Sequence, residues 1–190
     1  MINIAIFASG NGSNAENIIA YFKDNPRVCV KLIISNSSKA FVIERAANNK
    51  IPSIIVSKQE LQNNSGITRI LTEHQINWIV LAGFLLLIPL YLIDVFPDKI
   101  INLHPALLPK FGGKGMYGMH VHNAVIVTGE MESGITIHFV NPHYDEGKII
   151  AQHKCTVSPD DTPETLAHKI HQLEYKYYPQ EIDKLIINNN

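Results

Sequence analysis

A chain of 190 residues, 46% hydrophobic and 17% charged, is long enough to bury a substantial core and too apolar to remain disordered. Its net charge of −1 offers no bulk attraction for nucleic acid or an anionic membrane surface. The two cysteines, Cys29 and Cys155, fall in apolar strand-like runs, which argues against a metal site or a disulfide framework and fits a reducing compartment.

The opening Met1-Ile2-Asn3-Ile4-Ala5-Ile6-Phe7 has no positive leader region and reads as a first strand, not a signal peptide. Further apolar runs over 29–35, 53–56, 78–82 and 99–103 read as four more strands. Most are continuous in Ile and Val instead of alternating, as parallel strands buried on both faces require. The longest apolar run, 78–88, is about half a membrane span, so a soluble cytoplasmic protein is expected. Helix-like stretches over 14–23, 40–48, 61–75 and 89–96 separate the strands, giving a βαβ array with right-handed crossovers.

Beyond Pro109 the pattern changes. A loop over 111–118 holds four glycines and is expected to move. A helical piece over 122–128 follows, then strands over 134–140 and 148–157, the first with Ile135, Ile137 and Phe139 on one face. Thr162 is the expected N-cap of a last helix that starts at Pro163, carries Glu164 in its first turn and runs to about 187. Pro179 is expected to divide or bend that helix, and 188–190 to fray. The fold class is therefore α/β: a Rossmann-like, mostly parallel sheet flanked by helices, with C-terminal antiparallel strands and a long final helix. No internal repeat, linker or low-complexity segment interrupts it, so 1–190 reads as one domain.

Four segments carry chemistry. Ser9-Gly10-Asn11-Gly12-Ser13-Asn14 joins the first strand to a helix, where glycines admit close approach and free N–H groups face an anion. It lacks the Gly-Lys-Ser/Thr ending of a P-loop and the third glycine of the dinucleotide fingerprint. A tight turn capped by Ser13 or Asn14 is the plainer reading, and a phosphate site the functional one. Ala82-Gly83 leads into Phe84-Leu85-Leu86-Leu87-Ile88 at the carboxyl end of a strand, where open α/β sheets hold ligands; the segment is core or the edge of a flat aromatic ligand's site.

Asn102-Leu103-His104-Pro105-Ala106-Leu107-Leu108-Pro109 ends the fifth strand in a rigid turn. An uncharged donor beside an imidazole is equipment for oxyanion stabilisation and proton transfer, although both residues also serve turns. In Asn141-Pro142-His143-Tyr144-Asp145-Glu146-Gly147, Asp145 sits on a turn for which Gly147 supplies an unusual backbone conformation. Held near His104, Asp145 would raise the imidazole pKa and orient the ring; otherwise it is a solvated turn residue. His138, among alternating apolar residues, lines the same pocket or faces solvent. His120-x-His122 would share a strand face, but no third ligand stands at metal spacing, so these are read as surface or pocket-edge histidines.

With these motifs in view, the chain resembles the phosphoribosylglycinamide formyltransferases over almost its whole length. The resemblance rests on the combination of Ser9-Gly10-Asn11-Gly12-Ser13-Asn14, Leu81-Ala82-Gly83-Phe84, the Asn102 to Pro109 segment, and His138-Phe139-Val140 followed by Asp145-Glu146-Gly147. It implies that Asn102, His104 and Asp145 are catalytic and that Gly12, Ser13 and Asn14 hold a substrate phosphate. Leu85, Leu86, Leu87 and Ile88, with Asn102 and the Asp145 loop, would hold the pterin of a folate, mostly through backbone groups. Glu174 matches a position that contacts the glycinamide end of the substrate. In this reading 1–103 is the nucleotide-binding half and 104–190 the half with the catalytic loops and folate side.

The implied reaction moves the formyl group of 10-formyltetrahydrofolate to the amine of glycinamide ribonucleotide in purine synthesis, without metal or covalent intermediate. Asn102 and a protonated His104 would donate to the oxyanion while Asp145 sustains the imidazolium. Partners are small molecules only, with a monomer or weak homodimer expected. Departures from the family pattern are Leu85-Leu86 where many members have Met-Arg, the long glycine loop, and a short 58–68 connection. No arginine there aligns with the one that commonly meets the folate glutamate tail, and Arg69 and Lys58 are named only as stand-ins for it. A formyltetrahydrofolate hydrolase and a non-catalytic nucleotide-binding module are the alternatives.

Overall fold

The structure is a computed structural model and describes residues 1–188; the expectation of fraying at 189 and 190 lies outside them. The chain divides into two compact units, Met1–Ile101 and Asn102–Asn190.

The first unit holds four parallel strands, β1 (Ile2–Phe7), β2 (Val28–Ser35), β3 (Ser53–Ile55) and β4 (Trp78–Leu81), in the order β3-β2-β1-β4. Ile4, Ala5, Ile6 and Phe7 are all fully buried, which is why the run is apolar without alternation. Helices α1 (Ser13–Phe22), α2 (Val42–Asn48), α3 (Lys58–Leu61), α4 (Asn64–Glu73) and α5 (Leu90–Val95) separate or follow the strands.

The single helix expected over 61–75 is instead α3 followed by α4. Ser57 and Glu60 form a reciprocal capping box, with Ser57 N–H donating to the Glu60 carboxylate at 2.7 Å and Glu60 N–H to Ser57 Oγ at 3.2 Å. That local signal starts a short helix before the apolar period begins.

In the second unit, β5 (Ile100–His104), whose first two residues belong to the first unit, supplies Asn102 to His104. Strands β6 (Glu132–Phe139) and β7 (Ile149–Thr156) pair antiparallel, as expected for the late strands. Helix α6 (Met119–Val127) begins earlier than expected and takes in His120 as well as His122. Residues two apart on a helix lie about 200° apart, so the shared strand face predicted for them is corrected: His120 is exposed and His122 buried.

The last helix, α7 (Pro163–Asn188), runs through Pro179 without the expected division. Pro179 belongs to a buried stripe with Ile170, Tyr178, Ile182 and Ile186, and that packing outweighs the hydrogen bond that proline cannot make. Among the described residues no helix is long and apolar enough to cross a membrane. Cys29 and Cys155 are both free thiols, partly buried.

Candidate functional site

Within the first unit, the loop after β1 enters α1 through Gly12, which has φ +76 and caps the helix without any side-chain hydrogen bond. The capping role considered for Ser13 and Asn14 is thereby corrected: both are already inside α1. A Cβ on Gly12 would stand 2.5 Å from Val42 Cβ, so only glycine fits between the loop and α2. Gly12, Ser13 and Asn14 thus form the turn and first residues at the N-terminus of a ten-residue helix, the arrangement that binds anions.

After β4, Gly83 has φ +74 and turns the chain into 84–88. Leu85 is 52% exposed and Leu87 38%, while Ile88 is buried. Leu85 N–H donates to Ser9 Oγ at 2.9 Å, which ties this segment to the start of the loop after β1. The alternating exposure gives a partly open apolar strip with backbone polar groups at its edge, which suits a flat ring. Arg69 is exposed and lies 3.5 Å from Glu73 on the next helical turn.

The second unit brings Asn102, His104 and Asp145 together. His104 is 3% exposed; its Nδ1 lies 3.4 Å from Asp145 Oδ2, and its Nε2 lies 2.7 Å from the Phe111 carbonyl oxygen. Asn102 Nδ2 lies 3.5 Å from Asp145 Oδ1 and 3.2 Å from His138 Nε2. His138 Nδ1 is 2.8 Å from the Phe139 carbonyl, so the proton on Nδ1 is donated there and Nε2 accepts from Asn102. Asp145 also accepts from Gly113 N–H at 2.9 Å.

Two glycines make this approach possible, though not in the way the sequence implied. Asp145 itself, not Gly147, has the left-handed backbone, at φ +58. Gly147 is needed because a Cβ there would collide with the Phe139 carbonyl oxygen. At Gly112, a Cβ would come within 3.2 Å of Asp145 Cβ, so a bare backbone lets the 111–118 loop lie against the carboxylate.

Burial dominates His104 and lowers its pKa below the usual imidazole value, although Asp145 and the Phe111 carbonyl pull it upward. Burial thus works against the resting imidazolium expected from the sequence, because the desolvation cost of the cation exceeds its attraction to Asp145. For Asp145, burial pushes the pKa up, but the neighbouring His138 and His104 rings and the Gly113 N–H outweigh it and hold the carboxyl below its usual range. Asp145 is therefore a carboxylate at neutral pH.

Glu174 is a buried residue on α7. Burial first, and then the Glu174 charge, push the Tyr178 hydroxyl well above its ordinary pKa. Among the described residues, no group of three or more His, Cys, Asp or Glu side chains is arranged to hold a metal ion.

Sequence reasoning missed the support for the turn after β5. Buried Thr136 donates from Oγ1 to the Ala106 carbonyl at 2.6 Å and accepts from Leu108 N–H at 3.0 Å. Gln152 Nε2 donates to the Leu108 carbonyl and to Thr136 Oγ1, both at 2.9 Å. The signal available in the sequence was a polar residue at alternate positions between Ile135 and Ile137, on a strand whose other face is buried.

His122 was also underread. It is 3% exposed, and burial, then His171 and His104, hold its pKa at about 4. The unfolded chain takes up this proton near pH 6.5 and the native state does not until about pH 4. Stability is thus complete above pH 6.5 and lost as pH falls toward 4, by on the order of 2 kcal/mol from this residue. Thermal unfolding from pH 7 to pH 4.5 should show a falling Tm, with a shallower fall in His122→Asn. An identical slope in that variant would remove His122 from the account.

Comparison with known proteins gives a consistent result. The formyl transferase family model matches residues 2–182. The chain is 38% identical to the phosphoribosylglycinamide formyltransferase of Bacillus subtilis (strain 168), covering 100% of this chain and 97% of that protein. It is 40% identical to the chloroplastic phosphoribosylglycinamide formyltransferase of Arabidopsis thaliana over 94% of this chain, and spans 63% of that relative's length. Among solved structures, glycinamide ribonucleotide transformylase 1 of Geobacillus kaustophilus superimposes with a TM-score of 0.88 at 35% identity, covering 97% of this chain and 98% of that one.

Proposed function

Because the chain belongs to the formyl transferase family, we propose that it transfers the formyl group of 10-formyltetrahydrofolate to the amine of glycinamide ribonucleotide in purine synthesis. The observation that carries the reading is the buried His104 between the Asp145 carboxylate and an acceptor carbonyl, with Asn102 on the same carboxylate. It stands in a chain that aligns end to end with the Bacillus subtilis formyltransferase.

The amine nitrogen attacks the formyl carbon, and the formyl oxygen takes up the negative charge. Asn102 Nδ2 donates to that oxyanion. With Nδ1–H turned to Asp145, His104 takes the proton of the attacking amine at Nε2, once substrate entry frees that nitrogen from the Phe111 carbonyl, and ionised Asp145 stabilises the imidazolium that results. As the bond between the formyl carbon and the folate nitrogen breaks, the proton passes from His104 to that nitrogen. A ring that rests neutral and becomes charged only as the reaction proceeds matches the lowered pKa and the adjacent carboxylate.

Gly12, Ser13 and Asn14 take the substrate phosphate, Glu174 the glycinamide end, and the exposed Leu85 and Leu87 with Leu86 and Ile88 the pterin. The co-substrate suits this segment, since a pterin needs apolar contact on its faces and backbone donors and acceptors at its rim.

Spectrophotometric loss of the 10-formyl group tests the reading with the nucleotide, without any amine, and with the phosphate-free riboside. Turnover that requires the complete nucleotide is expected. Formyl loss without an amine would point to a hydrolase, and no loss under any condition to a binding protein.

A further inference from the structure

Arg45 on α2 directs three of its N–H donors at the loop after β1 and at the first turn of α1. Its Nε donates to the Asn11 carbonyl and its Nη2 to Asn11 Oδ1, both at 2.9 Å, and its Nη1 pairs with Glu16 Oε2. The Phe41 ring lies 4.8 Å from the guanidinium carbon, on one of its flat faces. Val42 N–H donates to the Gly10 carbonyl at 3.2 Å, and Gly12 has no room for a side chain against Val42. The start of α2 therefore acts as a mould for residues 10–12.

Glu16 stands in the first turn of α1. A carboxylate there steadies an isolated helix, since it faces the positive end of the dipole. Opposite a phosphate at the same helix end it is a liability, because it repels the ligand and competes for the same field. We propose that Arg45 is a positioning residue for the phosphorylated substrate: it cancels the Glu16 charge and fixes Asn11, so that the helix end presents net attraction to the phosphate. The inference rests on the reading that the loop over 9–14 takes the substrate phosphate. Arg45 makes three hydrogen bonds to two residues, Asn11 and Glu16, and lies over a ring, so it acts through the loop.

The effect belongs in affinity for the nucleotide, because the phosphate is remote from the reacting amine and is held alike in ground and transition states. Formyl transfer is measured with glycinamide ribonucleotide and with its phosphate-free riboside, in the wild type, Arg45→Met and Arg45→Met/Glu16→Gln. Arg45→Met should raise KM for the nucleotide about five- to tenfold, with kcat within about twofold and the phosphate-free substrate unaffected. Adding Glu16→Gln should recover most of that KM, and Arg45→Lys, which keeps the charge but not the planar fork, should fall between.

Equal losses on both substrates, an unchanged KM, or no recovery from Glu16→Gln would overturn the role of Arg45. A wild type that uses both substrates equally would instead overturn the phosphate assignment itself, and this inference with it. Thermal unfolding of each variant separates these outcomes from simple destabilisation.

Discussion

His104→Ala and Asn102→Ala each lower kcat about 10²–10³-fold, an effect of about 3–4 kcal/mol on the transition state. The physical reason is that each removes a group whose interaction strengthens only as charge develops. Asn102 Nδ2 rests 3.5 Å from Asp145 Oδ1 and 3.2 Å from His138 Nε2, neither a tight bond, so turning to an oxyanion costs little. In the proposed mechanism His104 takes and returns the proton that the amine must lose. His104→Ala should still fold, because Asp145 keeps the Gly113 N–H at 2.9 Å and Asn102 Nδ2 at 3.5 Å and is not left as an unpaired buried charge. The check is single-turnover formyl transfer with both substrates saturating, beside a far-ultraviolet dichroism spectrum and a melting curve. Near-normal turnover in a folded variant would strip that residue of its role.

Asp145→Asn should lower the plateau rate about a hundredfold and also move the pH profile, with a definite sign. His104 must be neutral to accept a proton, so kcat/KM falls as pH drops through its pKa, which burial already places below the ordinary value. Asp145 is the largest influence pulling that pKa upward. Without its charge the His104 pKa falls further, and the acid limb shifts to lower pH even as the plateau declines. A lower rate with an unmoved acid limb would reduce Asp145 to a turn residue, and a limb moving to higher pH would reverse the electrostatic argument. Asn keeps the shape and the Gly113 bond, so packing is not at issue.

Much of the fold was legible because its signals are local. The apolar runs at Ile4 to Phe7 and Trp78 to Leu81 are continuous, and each strand is buried along its length. Thr162 and Pro163 marked the start of α7, where Thr165 N–H donates back to Thr162 Oγ1. The site was legible in part for the same reason: Asn102 and His104 share one strand end, and the glycines of the first loop precede a helix. The errors came where a local rule met a distant partner. Pro179 argued for a division or a bend, and α7, with its buried stripe, runs through it undivided. Two histidines in alternation argued for a strand, and α6 sent them to opposite environments.

By itself, then, the sequence determined the order and kind of most elements, the amide and imidazole at the end of β5, and the glycine turn from β1 into α1. These follow from side-chain periodicity, turn chemistry and helix-end geometry, all of which act over a few residues. Only the tertiary structure decided that Asp145 meets Asn102 from 43 positions away, and that Arg45 reaches Asn11 across 34. It alone fixed the sign of the His104 shift, because that sign is the difference between a desolvation cost set by surrounding packing and an attraction set by distance. Neither quantity is carried by residue identity.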